Sequence, residues 1–578
     1  MPTMCAMQPL EHYDISPITG FLPEEPPLQR LQDPYFEPWE NMMNDFNGLL
    51  LAGKLRQKIK MMPLLDHTRL QTVQEYRRAF LILCMLSHSY VWGKHEETSE
   101  VLPANLAVPW TGIANHLGLC PVVCHAAVVL WNYRLLDQDG PIDLSNLTTL
   151  ATYSGSLDEA WFYLVTTAIE SAGAPCLRAI VNSIEHVRDG NVPAITADLE
   201  TIRTSLEHMN DALQRMYEKC DPYVFYWKIR PYLAGWENMA EAGLPFGLIY
   251  EGVDSLWAAE TDEYADMSHL SEGERLLRQY RRYAGGSAAQ SSLIAALDVA
   301  LGVEHFPTGE RNPGGIVNDR YRRLPPPNPA DDLKSGQSTP TARASPPPFV
   351  RTNRNAFLRA MRKYMPKEHR QFLEDLEIAA NLRSFMLHLE EHADNLSDDE
   401  TKLVQVYNDC LGLLKAFRDK HVQIVTLYIV NQARKGPNIA HGGFAIESKI
   451  AEDDIEKPAK RIKTEDGVNV LYPQTALETA PAIRKGSISA KVSRLFPELG
   501  LAKHVDPKTG VVRGTGGTNV LPFLKQSRDE TAESRIVLTN ELAPTPSSTT
   551  TVSTPPPSEA PPSLVPQRKS WRSWLLSS

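Results

Sequence analysis

The run Cys410–Asn431, CLGLLKAFRDKHVQIVTLYIVN, constrains the fold of this chain more than any other stretch. Leu414, Phe417, His421, Ile424, Val425 and Tyr428 recur at three- and four-residue intervals, so one helical face carries all six. Lys415, Asp419, Lys420 and Gln423 take the other side. A histidine inside such an apolar stripe has two readings. In one it is a core residue whose ring nitrogens are satisfied by hydrogen bonds. In the other it is the single imidazole ligand of a planar metal cofactor, which needs one histidine and an apolar wall. The pattern leaves both open.

The rest of the chain supplies ample core for such a helix. Its 578 residues are 42% hydrophobic and 22% charged, which suits a mostly globular protein of a few domains. A net charge of −11 argues against nucleic acid or an anionic membrane as partner. Apolar runs such as Ala126–Trp131 fall far short of the roughly 20 residues of a bilayer span. The start, MPTMCAMQPLEHYD, has no signal-peptide pattern. Seven cysteines, an odd and scattered set, suggest reduced thiols and a cytoplasmic protein, so the sequons at Asn146 and Asn395 are expected to stay unmodified.

In chain order, residues 1–37 read as a proline-rich extended arm and 38–115 as a small helical domain. A larger helical domain occupies 116–303 and 351–434, interrupted by a disordered Pro-rich insertion at 304–350. A polar flexible loop at 435–512, a glycine loop with a helix at 513–535 and a disordered tail at 536–578 complete the chain. Helices are expected over Val122–Leu135, Ser156–Ser171 and Val192–Glu218, whereas Val101–Ala114 holds too many prolines and reads as a connector. The stretch YAGGSAAQSSLIAALDVALGV (Tyr283–Val303) is a glycine turn feeding a helix of small residues, which lets a large flat group approach its backbone. Strand signals are scarce, so the expected fold is all-α with disordered insertions.

Four short motifs each admit a chemical reading and a plain one. HLEEH (His388–His392) has the spacing of an inverted zinc-peptidase motif, yet it sits in a strongly charged run without a third ligand and reads as a solvated face. Cys120 and Cys124, followed by His125, lie in an apolar segment and read as core. GTGGT (Gly514–Thr518) lacks the Gly-Lys-Ser/Thr of a phosphate loop; its choices are a plain linker or a mobile lid with free amides and hydroxyls. KPAKRIK (Lys457–Lys463) reads as a solvated basic loop, with nuclear import as the alternative.

Eight segments in order then resemble the indoleamine 2,3-dioxygenase family, in its fungal form. They are YVWGK (Tyr90–Lys94), LPANLAVPW (Leu102–Trp110), RPYLAGW (Arg230–Trp236), GLIYEGV (Gly247–Val253), AGGSAAQSS (Ala284–Ser292), RKYMPKEHRQFL (Arg362–Leu373), FRDKHVQIVTLYI and GTGGT. The resemblance implies a two-domain helical enzyme that uses haem b to add both atoms of dioxygen across the indole 2,3-bond of L-tryptophan. The product would be N-formylkynurenine, the first step of a route towards NAD. It implies that His421 is the proximal haem ligand, and Arg418 the arginine one turn earlier. On the distal side Phe162, Thr166 and Ile169 share a helical face without His, Asp or Glu, which suits chemistry supplied by the cofactor rather than by a general base. By the same resemblance Phe225 packs on the indole, Arg230 pairs with the substrate carboxylate, Thr515 closes over the amino-acid end, and Gly286, Ser287 and Ala288 cross close to haem and indole. Thr166, Tyr226 and His125 depart from the serine, phenylalanine and tyrosine of many relatives; His125 would stand beside the cofactor. A monomer acting on a small molecule is expected. A different indole as substrate, or a non-catalytic haem sensor, are the alternatives.

Overall fold

The computed structural model describes residues 7–93, 96–253, 279–306, 308, 356–435 and 520–538. The bulk of the Pro-rich insertion and of the polar stretch, the GTGGT loop with Thr515, the KPAKRIK patch and most of the tail lie outside the described residues. The chain divides into two units, Met1–Ile536 and Val537–Ser578, and every element below belongs to the first.

Helices dominate because long apolar stripes find partners. They are α1 (Glu37–Asn44), α2 (Phe46–Leu51), α3 (Leu55–Met61), α4 (Val73–Trp92), α5 (Ala104–Leu117), α6 (Leu157–Arg188), α7 (Val192–Gln214), α8 (Ser292–Ala300), α9 (Ala356–Arg362), α10 (Lys367–Ala379), α11 (Leu382–Glu391), α12 (Asp398–Val425) and α13 (Val520–Glu533), with shorter turns between them. The His421 stripe is the C-terminal half of α12. That helix starts at a capping box in which Ser397 and Glu400 satisfy each other's backbone amides, and it runs on as a wide turn, Thr426–Val430, into Asn431–Lys435. It packs between α7 and α13, while α6 packs on α7. The polar side is solvated or paired: Lys415 reaches Asp419 at 2.6 Å, and Lys420 donates to the Asn210 carbonyl.

Helix α6 is long and apolar enough to cross a bilayer by length and hydropathy, which the apolar runs did not suggest. Within the protein, 67% of its most apolar window is buried. It extends well past the expected Ser171 and carries Pro175 internally.

Three readings of the sequence are corrected. Val101–Ala114 is no connector: Val101–Leu102 is strand β1, Pro103 caps the start of α5, and Pro109 lies inside that helix. Burial of Leu106, Ala107, Trp110 and Ile113 on α5, each fully inaccessible, outweighs the amide that Pro109 removes. Nor is Val122–Leu135 one helix. It makes a single wide turn, Ala126–Leu130, and then strand β2 (Tyr133–Leu135) pairs with β3 (Leu147–Thr149). The Asn132 side chain ends the turn by binding the Val128 carbonyl and both backbone groups of Ala151. Strands β4 (Leu248–Tyr250) and β5 (Tyr280–Arg281) join β1 in a small sheet. Val192–Glu218 breaks after Gln214, before a final turn, Met216–Lys219.

The arm crosses helices far along the chain. The Tyr13 hydroxyl donates to Asp375 on α10 at 2.7 Å, Phe21 packs on the His369 ring, and a Cβ on Gly20 would lie 2.9 Å from Ala174 of α6.

Candidate active site

The His421 ring makes no hydrogen bond to any described residue and opens onto a cavity of about 280 Å³. Burial, reinforced by the positive Arg418, pushes its pKa down to about 4, so at neutral pH the imidazole is uncharged with a lone pair available. Phe417, Ile294, Val299, Phe523 and Leu524 give the cavity apolar walls. Ala288, Ala289 and Ala295 line it with small side chains, as the small-residue helix led one to expect.

Arg418, one turn before His421, points its Nη2 at both oxygens of Asp298 (2.6 and 2.7 Å), and its Nη1 bonds the Thr531 hydroxyl. Asp298 in turn meets His305, whose other nitrogen meets Glu530. Burial would raise the Asp298 carboxyl, but Arg418 and His305 hold it below the usual carboxylate range.

A second cluster forms beside the continuation of α12. Phe162 and Thr166 stand on α6, both half-buried, and Phe162 packs on Phe225 with ring centres 4.7 Å apart. Phe225 meets Tyr428, two turns after His421, edge to face at 5.8 Å. The Thr166 hydroxyl bonds back to the Phe162 carbonyl at 3.0 Å. Phe225 and Tyr226 belong to a wide turn, Phe225–Ile229, and Arg230 opens the tight turn that Pro231 starts. Arg230 is only 2% exposed, and its guanidinium carbon lies 5.1 Å from the Tyr226 ring centre. Burial lowers its pKa, partly opposed by Tyr226. The Tyr226 hydroxyl is buried with no hydrogen-bond partner among the described residues.

One backbone segment joins cavity and cluster. The Gly286 amide donates to the Leu233 carbonyl, in the turn that Arg230 opens, while Ala288 and Ser291 further along line the cavity. Gly285 cannot be replaced cheaply here: an added Cβ would sit 2.2 Å from the Leu233 carbonyl oxygen. Ser287 caps the turn Ala288–Gln290 by accepting from the Ala289 amide. The structure therefore brings Ala288, Arg418 and His421 to the cavity and gathers Phe162, Thr166, Phe225, Tyr226 and Arg230 in the neighbouring cluster. His125 stands behind the wall: its Nε2 lies 2.8 Å from Glu170 of α6, and the Ser291 hydroxyl donates to the same carboxylate oxygen at 2.7 Å.

Sequence reasoning missed Asp298, His305, Glu530 and Glu170. Asp298 carried a signal, as the lone charge in the apolar run LIAALDVALGV; His305 and Glu530 lie 225 residues apart and carried none. HLEEH is solvated: His388, Glu391 and His392 are exposed at the C-terminal end of α11, although their donor atoms lie within 4.8 Å of one another. Cys120 and Cys124 are buried, as expected.

A family model described as indoleamine 2,3-dioxygenase matches residues 9–534. The chain belongs to the indoleamine 2,3-dioxygenase family. It is 33% identical over 532 residues to the indoleamine 2,3-dioxygenase of Saccharomyces cerevisiae, covering 90% of this chain and 92% of that one. Indoleamine 2,3-dioxygenase 2 of Homo sapiens is 29% identical over 526 residues, 91% and 95% of the two chains. A 6-hydroxytryptophan 2,3-dioxygenase of Fusarium equiseti is 29% identical over 424 residues, 73% and 86%. Members of this family are haem-dependent dioxygenases of small indoles, so this protein is an oxidoreductase of that kind. The residues present fit haem: a neutral histidine with no hydrogen bond to a described residue opens onto a cavity lined by apolar side chains and alanines, with charged groups such as Arg418 and Asp298 also in its lining.

Proposed function

We propose that the protein cleaves the indole 2,3-bond of L-tryptophan to give N-formylkynurenine, the first step of tryptophan breakdown towards NAD, and that His421 would hold the iron of haem b. The observation that carries the reading is His421 itself, half-buried, neutral and facing a cavity, with no hydrogen bond to a described residue. When bound, haem supplies dioxygen activation. The chain's residues would bind, orient and keep water out. Phe162 and Phe225 form an aromatic edge for the indole ring. Arg230, a guanidinium held in an apolar setting, suits a bidentate pairing with the amino-acid carboxylate. The segment Gly286–Ala288 offers backbone close to both. Thr515 would close over the amino-acid end, and His125 would support the cavity wall through Glu170. Neither Phe162, Thr166 nor Phe225 can take a proton from the indole, so the pocket orients its substrate without a general base.

Tyr226 favours one second reading, a hydroxylated indole as substrate. Its buried hydroxyl has no partner among the described residues, and the Fusarium relative is named for 6-hydroxytryptophan. Haem-loaded, reduced protein incubated in air with L-tryptophan or with 6-hydroxytryptophan decides between them by mass spectrometry. A tryptophan product heavier by two oxygen atoms supports the first reading. Product only from the hydroxylated substrate supports the second, and haem uptake with no product from either leaves a haem sensor. His421→Ala is expected to lose the absorption band of bound haem; an unchanged band would sink the ligand assignment.

A further inference from the structure

We infer that His305 and Glu530 form a proton-dependent clasp that holds α13 against the cofactor cavity and so slows the loss of haem. The inference rests on the haem reading above and assigns these two residues a positioning role in it.

Helix α13 contributes Phe523, Leu524 and Ser527 to the cavity that His421 faces. Beside its packing on α12, a set of polar bonds fastens it. Glu530 accepts from the Phe306 amide at 3.0 Å and meets His305 Nδ1 at 2.7 Å, while Gln526 donates to the Phe306 carbonyl and to Glu530. His305 Nε2 lies 3.1 Å from Asp298 of α8, and Asp298 takes both of its short bonds from Arg418 of α12. The chain Arg418–Asp298–His305–Glu530 thus ties three helices that wall the cavity.

His305 is 8% exposed and Glu530 likewise 8%. With His305 protonated, two cations face two carboxylates, and the group is balanced. With His305 neutral, Arg418 alone faces Asp298 and Glu530, and one buried negative charge is left over. Among the other charges that line this cavity, Arg359 of α9 is exposed and Arg362 pairs with Glu377 of α10. Arg383 of α11 is directed to the Ser534 carbonyl and the Tyr407 hydroxyl, and Arg528 of α13 pairs with Asp419 and Asp529.

The sign follows. Burial alone would lower the His305 pKa, but Asp298 and Glu530 hold it above its ordinary 6.5. A raised histidine contributes fully below its unfolded value, and the contribution is lost as pH rises through the folded one. Haem should therefore be held in neutral solution and released faster on the alkaline side. Protonation of His421 would speed release on the acid side in every variant, so the alkaline limb is the one to read.

The test uses the full-length protein loaded with haem, with excess apomyoglobin as acceptor, and follows transfer by absorbance between pH 6 and 9.5. In the wild type the rate is expected to climb with pH by roughly three- to tenfold, since a pKa unit of linkage is worth about a factor of ten. His305→Gln and Glu530→Gln should release haem faster at pH 7 and show a flat alkaline limb. His305→Lys, which keeps a cation across this range, should be flat and slow. A general loss of structure cannot produce that last result. Hydrogen exchange of the α13 amides in the haem-free protein, corrected for intrinsic rates, gives a second reading: protection should fall with pH in the wild type and not in His305→Lys. The clasp is overturned if all four proteins share one alkaline limb, or if exchange in α13 has the same pH dependence in the wild type and in His305→Lys. Protein that takes up no haem at all would overturn the haem reading first.

Discussion

Arg230 shows what a single side chain can decide. A guanidinium 2% exposed, lying over the Tyr226 ring, is costly to bury, and the proposed function gives it the substrate carboxylate to bind. Arg230→Ala should lower kcat/KM for tryptophan by about 30-fold or more, because truncating one member of a buried charge pair costs about 2–5 kcal/mol. The same substitution should leave tryptamine, which has no carboxylate, almost unaffected. An equal loss on both substrates would refute the carboxylate assignment. At this scale the sequence was informative where one residue contrasts with its neighbours. His421 stands out in an apolar stripe, and the structure finds its ring facing a cavity. Arg230 followed by proline was legible only through family resemblance, since nothing in its spacing announces a buried cation. Glu530 was not legible at all, because its meaning comes from His305, 225 residues away.

At the scale of elements, the strongest joint is the crossing of two backbone segments. Residues 233–235 and 283–286 approach so closely that a Cβ on Gly235 would lie 2.3 Å from the Tyr283 carbonyl oxygen, and one on Gly285 2.2 Å from that of Leu233. The neighbours are backbone atoms, which cannot swing aside as a side-chain end would. Gly285→Ala should therefore cost stability by about 1–3 kcal/mol or more. Because this segment carries Ala288 and Ser291 to the cavity, it should also weaken haem retention. Urea unfolding together with haem transfer reads both effects; a change in stability alone would mean that the crossing is scaffold and not part of the cavity wall. Elements were readable where a periodic stripe ran long, as in α12. They were misread where tertiary burial overrode a local signal: Pro109 sits inside α5 because its neighbours are buried, and Asn132 turns an apolar run into a strand. Neither outcome is encoded within a few residues of the chain.

At the scale of the whole molecule, buried histidines decide how the fold responds to acid. The His88 ring stacks on Trp236 and its Nε2 accepts the Val123 amide at 2.8 Å, a bond that a protonated nitrogen cannot make. Burial pushes its pKa down to about 3 and that of His369, which stands on α10 and packs against Phe21 of the arm, to about 4. Both lie below the ordinary 6.5, so below that pH the unfolded chain binds protons that the folded chain refuses. Stability is thus present above 6.5 and drains as pH falls, by about 2 kcal/mol for each histidine at pH 5, at about 1.4 kcal/mol per pKa unit. His305 acts in the opposite sense, because its raised pKa makes it a source of stability that fades in alkali. The two kinds of histidine should leave a maximum of stability near neutrality, set by burial rather than by net charge. Urea unfolding of the protein at pH 7 and pH 5 measures the acid side. His369→Gln, which cannot take up the proton, should show a shallower loss between the two than the wild type, even if it starts less stable. Equal losses would mean that the arm and α10 part in acid without His369, and that the carboxylates alone govern acid unfolding.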